Sequence, residues 1–355
     1  MAFNHKVVDG HYHLYNWYSS VDGRDFKAVT DEYRASRNFA AININALPSV
    51  KWDVGNNIIA ALYKLWNPDV FSHGGLTYEA YPMPETVSEG FDPLTQYQEL
   101  MAIGFDGIKM LETKPTELKA IGKFVDDPVY EPFFAAAEKD GTHMIWHVVD
   151  PENNWDINKV HPGALAAGWY YGDGTYPTQE EIYQQVFRVL ERHPDLKVTF
   201  AHFFFMSRFT DRLEEVFARF PNANVDLTPG VEMYGAFGER REFFRDFFIR
   251  NATHIGYGTD NSDRAPMEAN LRKCDTVYQF LATDEYFDIW DYKFQGLQLP
   301  DETVEMITSG NFFRRVAAEP KPVDPKALKE YIAKYRHLIR DDRIRANVDE
   351  QAKLL

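Results

Sequence analysis

The chain has 355 residues, of which 45% are hydrophobic and 15% aromatic, so it can bury a large core. Its 54 acidic residues outnumber its 38 lysines and arginines, which gives a net charge of −16. Because a negative surface repels phosphate backbones and anionic lipids, we expect no nucleic-acid and no membrane partner. The single cysteine, Cys274, excludes an intrachain disulfide. The first residues lack the apolar run of a signal peptide, which predicts a cytoplasmic protein. The expected partner is a small-molecule substrate.

Short β-type runs alternate with helical patterns along the chain. The runs are β-branched or aromatic and mostly apolar on both faces, as strands covered on both sides are. The predicted strands are His5–Asp9, Phe39–Asn45, Val70–Thr77, Asp106–Leu111, His143–Val149, Lys197–His202, Asn224–Thr228 and His254–Thr259. Helical patterns over Asp127–Lys139 and Thr178–Arg192 lie between them. We therefore predict an α/β fold, a single (β/α)8 TIM barrel over residues 1–355, with an open doubly wound sheet as the alternative.

Two segments exceed what a minimal barrel needs. Pro151–Pro177 follows strand five and is rich in tryptophan and tyrosine, and Thr276–Val304 follows the last strand. Loops at the carboxyl ends of barrel strands form active sites, so the first segment is predicted to be a lid or a substrate wall. The alternatives are an aromatic contact between subunits of a homo-oligomer, or a surface segment that only packs against the barrel. Helices are expected to complete the C-terminal part.

Groups that can bind a metal stand at the carboxyl ends of the predicted strands. His11 and His13 lie two apart at the end of strand one, so their side chains point to the same side. His147, His202 and Asp260 end strands five, six and eight. Taken alone, each histidine is more often a hydrogen-bonded core residue. Five such groups at one rim instead indicate a site for a divalent metal, zinc or manganese.

With these residues the chain resembles the amidohydrolase superfamily, in particular its amidohydrolase-2 branch, over residues 7–316. The resemblance depends on an ordered set of motifs: DGHYH (9–13), GIKM (107–110), WHVVDP (146–151), VTFAH (198–202), GTD (258–260) and SGNFFRRV (309–316). It implies a barrel enzyme with one divalent metal, whose ligands would be His11, His13, His147 and Asp260. It also implies a catalytic His202 beside the metal, as an acid/base group or as a partner of an oxyanion.

Two features depart from the family pattern. Phe203–Phe205 follows His202 where many relatives have glycines, which predicts a narrower and more apolar pocket. Lys109 lies where binuclear members carry a carboxylated lysine, but in this branch the lysine is more often unmodified. One metal is therefore favoured over two.

Three residues are predicted to bind substrate: Lys109 and Arg264 as cations for an anionic group, and Trp155 as an aromatic wall. Glu112 and His73 lie near the same predicted rim. They are interpreted as a surface ion-pair residue and a loop histidine.

The resemblance implies hydrolysis of an amide, lactone or ester through a metal-activated water, with Asp260 holding or taking the proton. The close alternative is non-oxidative decarboxylation of an aromatic or enoic acid, because the same branch includes such lyases. A flat aromatic wall and a cationic clamp for a carboxylate would favour this alternative. A barrel that keeps a metal only for stability is the third interpretation.

Overall fold

Parallel strands arranged in chain order form the centre of the molecule. The computed structural model describes residues 3–15, 25–48, 53–78, 90–230, 232–289 and 292–355. The strands of the main sheet are β1 Val7–His13, β2 Phe39–Asn45, β3 Phe71–Gly74, β4 Gly107–Thr113, β5 His143–Val148, β6 Lys197–Phe200, β7 Ala223–Asp226, β8 Ile255–Gly256 and β9 Asn261–Ser262. They pair in the order β8-β7-β6-β5-β4-β3-β2-β1-β9, as expected for strands joined by helical crossovers.

The sheet closes through β8 and β9, which are two halves of one barrel strand. β8 pairs with β7, and β9 pairs with β1. Between them, Tyr257 O accepts from Gly10 N at 3.3 Å, and Asp260 N donates to His11 O at 2.8 Å. The predicted α/β barrel is therefore confirmed. The eighth strand predicted over His254–Thr259 is shorter than expected: only Ile255–Gly256 is regular, because Tyr257 N donates to Ile307 O at 3.0 Å. The backbone then passes through the left-handed Asp260 (φ 55°) before it rejoins β1.

Helices cover the outside of the barrel. Their bounds are α1 Phe26–Ser36, α2 Gly55–Trp66, α3 Pro93–Ile103, α4 Pro115–Ile121, α5 Glu131–Asp140, α6 Pro162–Ala166, α7 Gln179–Arg192, α8 Thr210–Arg219, α9 Met233–Glu239, α10 Arg241–Arg250, α11 Met267–Ala282, α12 Asp301–Glu305, α13 Asn311–Arg315, α14 Pro325–Tyr335 and α15 Asp342–Ala352. An antiparallel hairpin, β10 Tyr286–Ile289 with β11 Tyr292–Gln295, follows α11. None of the helices in the described ranges is long and apolar enough to cross a membrane.

Local sequence signals set the ends of two predicted helices. α7 opens with a capping box, in which Thr178 Oγ1 accepts from Glu181 N at 3.2 Å and Glu181 Oε2 accepts from Thr178 N at 2.7 Å. α5 follows a short 3-10 turn and ends at Gly141, whose left-handed backbone (φ 63°) suits glycine. Both helix predictions are confirmed. The C-terminal helices α14 and α15 contribute Leu328 and Val348 to the same apolar core as the barrel, while a single domain over 1–355 stays a prediction.

The aromatic insertion after strand five is confirmed and is bound to the neighbouring loop of the barrel. The buried ring of Tyr171 lies 4.9 Å from the ring of Trp155 and 4.9 Å from that of Tyr176. Lys114 Nζ, just after β4, stands 4.7 Å from the ring of Trp169. These contacts place the segment beside the carboxyl ends of β4 and β5. Its roles as a lid or as a subunit contact stay predictions.

A hydrogen-bonded chain of side chains crosses the barrel interior. His73 Nδ1 lies 2.8 Å from Asn43 Oδ1, and His73 Nε2 lies 2.9 Å from His143 Nδ1. His143 Nε2 in turn lies 2.9 Å from Thr199 Oγ1. The interpretation of His73 as a loop histidine is therefore wrong: it belongs to β3 and is fully buried, where an imidazole must have partners for its nitrogens.

Candidate metal and active site

Three of the predicted metal ligands converge at the carboxyl end of the barrel. The ligand atoms of His11, His13 and Asp260 all lie within 4.8 Å of one another. His13 Nε2 is 3.0 Å from Asp260 Oδ1, and His11 Nε2 is 4.0 Å from the same oxygen. Two imidazoles and one carboxylate at these separations form a donor set that suits zinc and related divalent ions.

Hydrogen bonds fix the orientation of both imidazoles in this trio. His11 Nδ1 lies 2.7 Å from Asp226 Oδ2, at the end of β7, and His13 Nδ1 lies 2.7 Å from Asn45 O, at the end of β2. Since a backbone carbonyl and a carboxylate accept, each Nδ1 donates, and Nε2 is the nitrogen left to bind a metal. Both Nε2 atoms lie on the side where Asp260 stands, and the residues present fit a divalent cation.

Close backbone packing brings β1 against the split strand at this site. A Cβ on Gly258 would lie 2.7 Å from Thr228 Oγ1 and 3.0 Å from His11 Cβ. Only glycine permits this approach. Although partial burial raises the pKa of Asp260, its hydrogen bond to His13 and the nearby His11 hold that pKa well below its ordinary value. Asp260 is therefore a carboxylate at neutral pH.

His147, the fourth predicted ligand, lies outside this trio. Its Nε2 is 3.1 Å from Asp150 Oδ1, and Asp150 also accepts from Lys114 Nζ at 2.7 Å and from Tyr171 Oη at 2.6 Å. Burial and the Lys114 ammonium lower the pKa of His147 to about 4, although Asp150 opposes them. His147 is therefore neutral, with Nδ1 as its remaining lone pair, and its role as a metal ligand stays a prediction.

The predicted catalytic histidine, His202, lies between His147 and His11. Ring centroids are 4.9 Å apart for His202 and His147 and 6.2 Å apart for His202 and His11. His202 Nδ1 lies 3.2 Å from Thr228 O, which assigns the proton to Nδ1. Burial, together with the neighbouring His147, lowers the pKa of His202 to about 4. Its neutral ring therefore offers the Nε2 lone pair to a neighbour.

Left-handed backbone conformations concentrate at the ends of the strands that carry these groups. Asp260 has φ 55°, Val149 has φ 57°, and all four residues of His202–Phe205 have φ between 52° and 57°. Such conformations cost on the order of 1 kcal/mol or more in residues other than glycine, most of all in a β-branched one. Strain of this kind typically persists where a side chain must be held in a functional position.

Of the three phenylalanines after His202, one borders the site and two pack in the core. Phe204 stacks on Phe200 with ring centroids 3.9 Å apart, and Phe203 packs 5.0 Å from Phe237 in the core. Phe205 is the one whose ring faces both site histidines, 5.1 Å from His202 and 5.5 Å from His147. The left-handed backbone thus turns two of the three rings into the core, and a narrower, more apolar pocket near His202 stays a prediction.

Lys109, predicted to bind substrate, lies next to the trio. Its Nζ is 3.0 Å from His11 Nε2, on the lone-pair side of that imidazole. Burial lowers the pKa of Lys109 to about 8, although Asp226 and Asp260 oppose this effect. Lys109 is therefore still mostly protonated at neutral pH, with Asp226 and Asp260 offsetting part of the cost of burying its charge.

The other two predicted substrate residues lie further out. Arg264 is exposed and stands 5.7 Å from the ring of Tyr15, which itself lies 5.4 Å from the ring of His13. Trp155 is half-buried in the insertion, where its Nε1 donates to Pro177 O at 3.0 Å. Their roles in binding substrate stay predictions.

Glu112 is buried, so the interpretation as a surface ion-pair residue is wrong. Its carboxylate accepts from Tyr78 Oη at 3.0 Å and from Leu111 N at 2.8 Å. Burial nevertheless raises the pKa of Glu112 from 4.5 to about 7. The folded protein therefore binds this proton more tightly than the unfolded chain does.

The raised pKa of Glu112 should appear in the pH dependence of stability. The stability that protonation of Glu112 contributes is complete below pH 4.5 and is lost as the pH rises through 7. We therefore compare the free energy of unfolding of Glu112→Gln with that of wild type at two pH values. The difference, variant minus wild type, should be up to about 3 kcal/mol larger at pH 7.5 than at pH 4.5. Urea unfolding at both pH values measures this change, with the exposed Glu302→Gln as the control. If Glu112→Gln and wild type differed in free energy of unfolding by the same amount at both pH values, the raised pKa of Glu112 would be contradicted.

Sequence reasoning missed three carboxylates beside the site: Asp226, Asp150 and Glu232. Asp226 lies at the carboxyl end of β7, the strand position that also marks the predicted metal ligands, and this position is its signal. Asp150 stands three residues after His147 in the motif WHVVDP. Glu232 lies on the connection from β7 to α9 and has no local sequence signal.

Comparisons with known proteins find similar folds. No family model and no curated protein matches the chain. An uncharacterised TIM-barrel protein from Bordetella bronchiseptica has a TM-score of 0.55 at 16% identity, covering 87% of this chain and 97% of that one. This chain has a TIM-barrel fold.

Two further solved structures share this fold. 2,6-Dihydroxybenzoate decarboxylase from Rhizobium has a TM-score of 0.54 at 13% identity, covering 88% of this chain and 98% of that one. An amidohydrolase from Burkholderia multivorans with bound zinc has a TM-score of 0.51 at 13% identity, covering 89% of this chain and 100% of that one. At these identities the similarity is one of fold.

Proposed function

We propose that this chain is a metal-dependent enzyme of the amidohydrolase type, which hydrolyses an amide, lactone or ester bond of a small molecule. The observation that carries the proposal is the trio of His11, His13 and Asp260, in which the Nδ1 atoms of both imidazoles are hydrogen-bonded elsewhere and their Nε2 atoms lie near the carboxylate. His147 would complete the ligand set. One zinc ion suits these nitrogen and oxygen donors, with manganese as the alternative.

The protein's own groups would divide the proton chemistry between them. A metal held by the trio supplies Lewis acidity and makes water more acidic. Asp260 is ionised, and its side chain is 38% exposed at the rim, so it can accept a proton from water that enters the site. His202 is neutral with its Nδ1 proton bonded to Thr228 O, which suits a proton acceptor better than a donor to an oxyanion. Lys109 would pair with an anionic group of the substrate.

Decarboxylation of an aromatic or enoic acid is the second candidate. The buried Lys109 cation beside His11 favours it, because it can hold a substrate carboxylate. Two neighbours in fold are decarboxylases of hydroxylated benzoates by name, 2,6-dihydroxybenzoate decarboxylase and 5-carboxyvanillate decarboxylase. The aromatic side chains of the insertion after strand five would also suit a flat substrate.

Elemental analysis of protein purified without chelator tests the metal site. We expect about one equivalent of zinc or manganese in the wild type and almost none in His11→Ala/His13→Ala. The matched control is His161→Ala/His337→Ala, which removes two exposed histidines and should keep the metal. Two equivalents would indicate that Lys109 is carboxylated and bridges two ions. No metal under metal-replete conditions would contradict the proposal.

Product analysis of the metal-loaded enzyme separates the two reactions. Release of acid from esters, lactones and amides supports hydrolysis, whereas release of carbon dioxide from hydroxybenzoates supports decarboxylation. In either case Asp260→Asn should abolish the reaction, because the amide can neither accept a proton nor replace a charged ligand. Full activity of Asp260→Asn would remove Asp260 from both roles. The cytoplasmic location and a homo-oligomeric state stay predictions from the sequence.

A further inference from the structure

The aromatic insertion, residues 151–177, reaches a buried carboxylate next to the predicted ligand His147. That carboxylate belongs to Asp150, which is 4% exposed. Tyr171 Oη donates to its Oδ2 at 2.6 Å, and His147 Nε2 lies 3.1 Å from its Oδ1. Lys114 Nζ donates to both oxygens at 2.7 Å. Asp150 therefore joins a side chain of the insertion to a histidine of the candidate active site.

The hydroxyl group of Tyr171 has a defined place in the insertion. Tyr171 is buried, and its ring lies 4.9 Å from the ring of Trp155 and 4.9 Å from that of Tyr176. Its backbone N donates to Asn154 O at 2.8 Å, which closes the insertion on itself. Only glycine fits at the next position, because a Cβ on Gly172 would lie 2.3 Å from Trp155 O. Packing and backbone bonds thus hold Tyr171 where it contacts Asp150.

Two lysines that follow β4 attach the insertion to the barrel. Lys114 Nζ lies 4.7 Å from the centre of the Trp169 ring. Lys119 Nζ, on α4, donates to Thr175 Oγ1 at 2.6 Å and stands 4.1 Å from the centre of the Tyr176 ring. Ammonium groups are attracted to aromatic faces at such distances. The insertion is therefore attached to the same rim of the barrel that carries the candidate metal site.

The bond to Asp150 determines which nitrogen of His147 can bind a metal. Since a carboxylate accepts, Nε2 of His147 donates, and Nδ1 is the nitrogen left for a metal. His11 and His13 are bonded in the opposite sense, with Nδ1 donating and Nε2 left for a metal. Loss of the bond to Asp150 would leave both the tautomer and the orientation of the His147 ring unset.

We propose that Asp150 and Tyr171 are positioning residues for the metal site. Asp150 holds the His147 ring with Nδ1 left for the metal, and Tyr171 holds Asp150. The insertion then does more than form a lid or a wall, because it supplies one of the bonds that orient a ligand. The alternative is a purely structural role of Asp150 as the partner of Lys114. The inference rests on the proposed function, since it requires a metal that His147 helps to bind.

Zinc affinity, measured by competition with a chelating dye, tests both roles. Asp150→Ala should weaken zinc binding by about tenfold, since it removes the partner of a ligating histidine. Tyr171→Phe should weaken it by about threefold, because Asp150 loses one of its hydrogen bonds. Tyr176→Phe is the matched control: it removes a hydroxyl from the same segment, leaves the donors to Asp150 in place and should bind zinc as wild type does. Wild-type affinity in Asp150→Ala would overturn the proposal, and in Tyr171→Phe alone it would overturn the role of the insertion.

A double-mutant cycle with His147→Ala separates positioning from a structural role. His147→Ala keeps the trio of His11, His13 and Asp260, so it should bind zinc more weakly than wild type but measurably. If Asp150 acts through His147, Asp150→Ala should cause no further loss of zinc affinity in the His147→Ala background. The same tenfold loss in both backgrounds would overturn the proposal, since the effect would then pass through Lys114 or through the fold.

The nitrogen that binds zinc gives a signature that does not depend on affinity. In protein with isotope-labelled histidine, nitrogen NMR distinguishes a protonated from a zinc-bound ring nitrogen, and His147→Ala assigns the signals. We expect zinc on Nδ1 of His147 and on Nε2 of His11 and His13. Zinc on Nε2 of His147, or on neither of its nitrogens, would overturn the proposal. Wild type that binds no zinc contradicts the proposed function as well, whereas wild type that binds zinc and fails these tests contradicts only the roles of Asp150 and Tyr171.

Discussion

Lys64→Met should lower the free energy of unfolding by about 3 to 5 kcal/mol. Lys64 and Asp106 form an ion pair in which each side chain is only 1% exposed, between α2 and the start of β4. Lys64 Nζ also donates to Gly104 O at 2.8 Å, and Asp106 accepts from Ser72 N at 2.8 Å and from Lys321 N at 2.7 Å. Asp106 thus connects β3, the start of β4 and the C-terminal segment through hydrogen bonds. Without the Lys64 cation its carboxylate would be an uncompensated buried charge, which destabilises the folded protein.

Urea unfolding at pH 7 measures this loss, and two variants control it. Lys27→Met removes an exposed partner of Asp31 and should change the free energy of unfolding by less than about 1 kcal/mol. Lys64→Met/Asp106→Asn removes both charges, and its destabilisation should be smaller than the sum of the two single effects. Additive effects of the two single substitutions would contradict a direct ion pair.

The barrel could be predicted from the sequence because its strands carry their signal locally. The run His143–Val148, for example, is buried at every position, so its pattern alone marks it as a central parallel strand. Strand eight lacks such a signal. Its regular parts are only two residues long, Ile255–Gly256 and Asn261–Ser262, and the backbone bend at Asp260 depends on contacts with β1.

The trio could be predicted for a related reason. His11, His13 and Asp260 stand at strand ends, and parallel strands of a barrel bring their carboxyl ends to one rim. What could not be predicted is how each imidazole is oriented, since Asp226 and Asn45 lie on other strands and contact these rings only after the barrel closes. The pairing of polar groups across strands depends on the register of the sheet, which a single sequence does not specify.

The largest effect on the metal site without removal of a ligand is expected from Asp226→Asn, which should weaken zinc binding by about 10- to 100-fold. Asp226 Oδ2 lies 2.7 Å from His11 Nδ1, while its Oδ1 accepts from His202 N at 2.9 Å and from Thr228 N at 3.1 Å. Asparagine has one acceptor oxygen for these three donors. If that oxygen faces His11, the amide nitrogen meets two backbone N–H groups and repels them.

If the amide is flipped, its nitrogen donates to His11 Nδ1 and moves the ring proton to Nε2, where it blocks the metal. Either orientation disturbs the site, although the folded barrel should persist. Competition with a chelating dye at constant pH measures zinc affinity, and Glu215→Gln, an exposed change of equal charge, should leave it unchanged. Wild-type zinc affinity in a folded Asp226→Asn protein would mean that the carboxylate does not set the tautomer of His11. The lone pair of His11 would then be oriented by Thr228 Oγ1, which lies 3.0 Å from the same Nδ1.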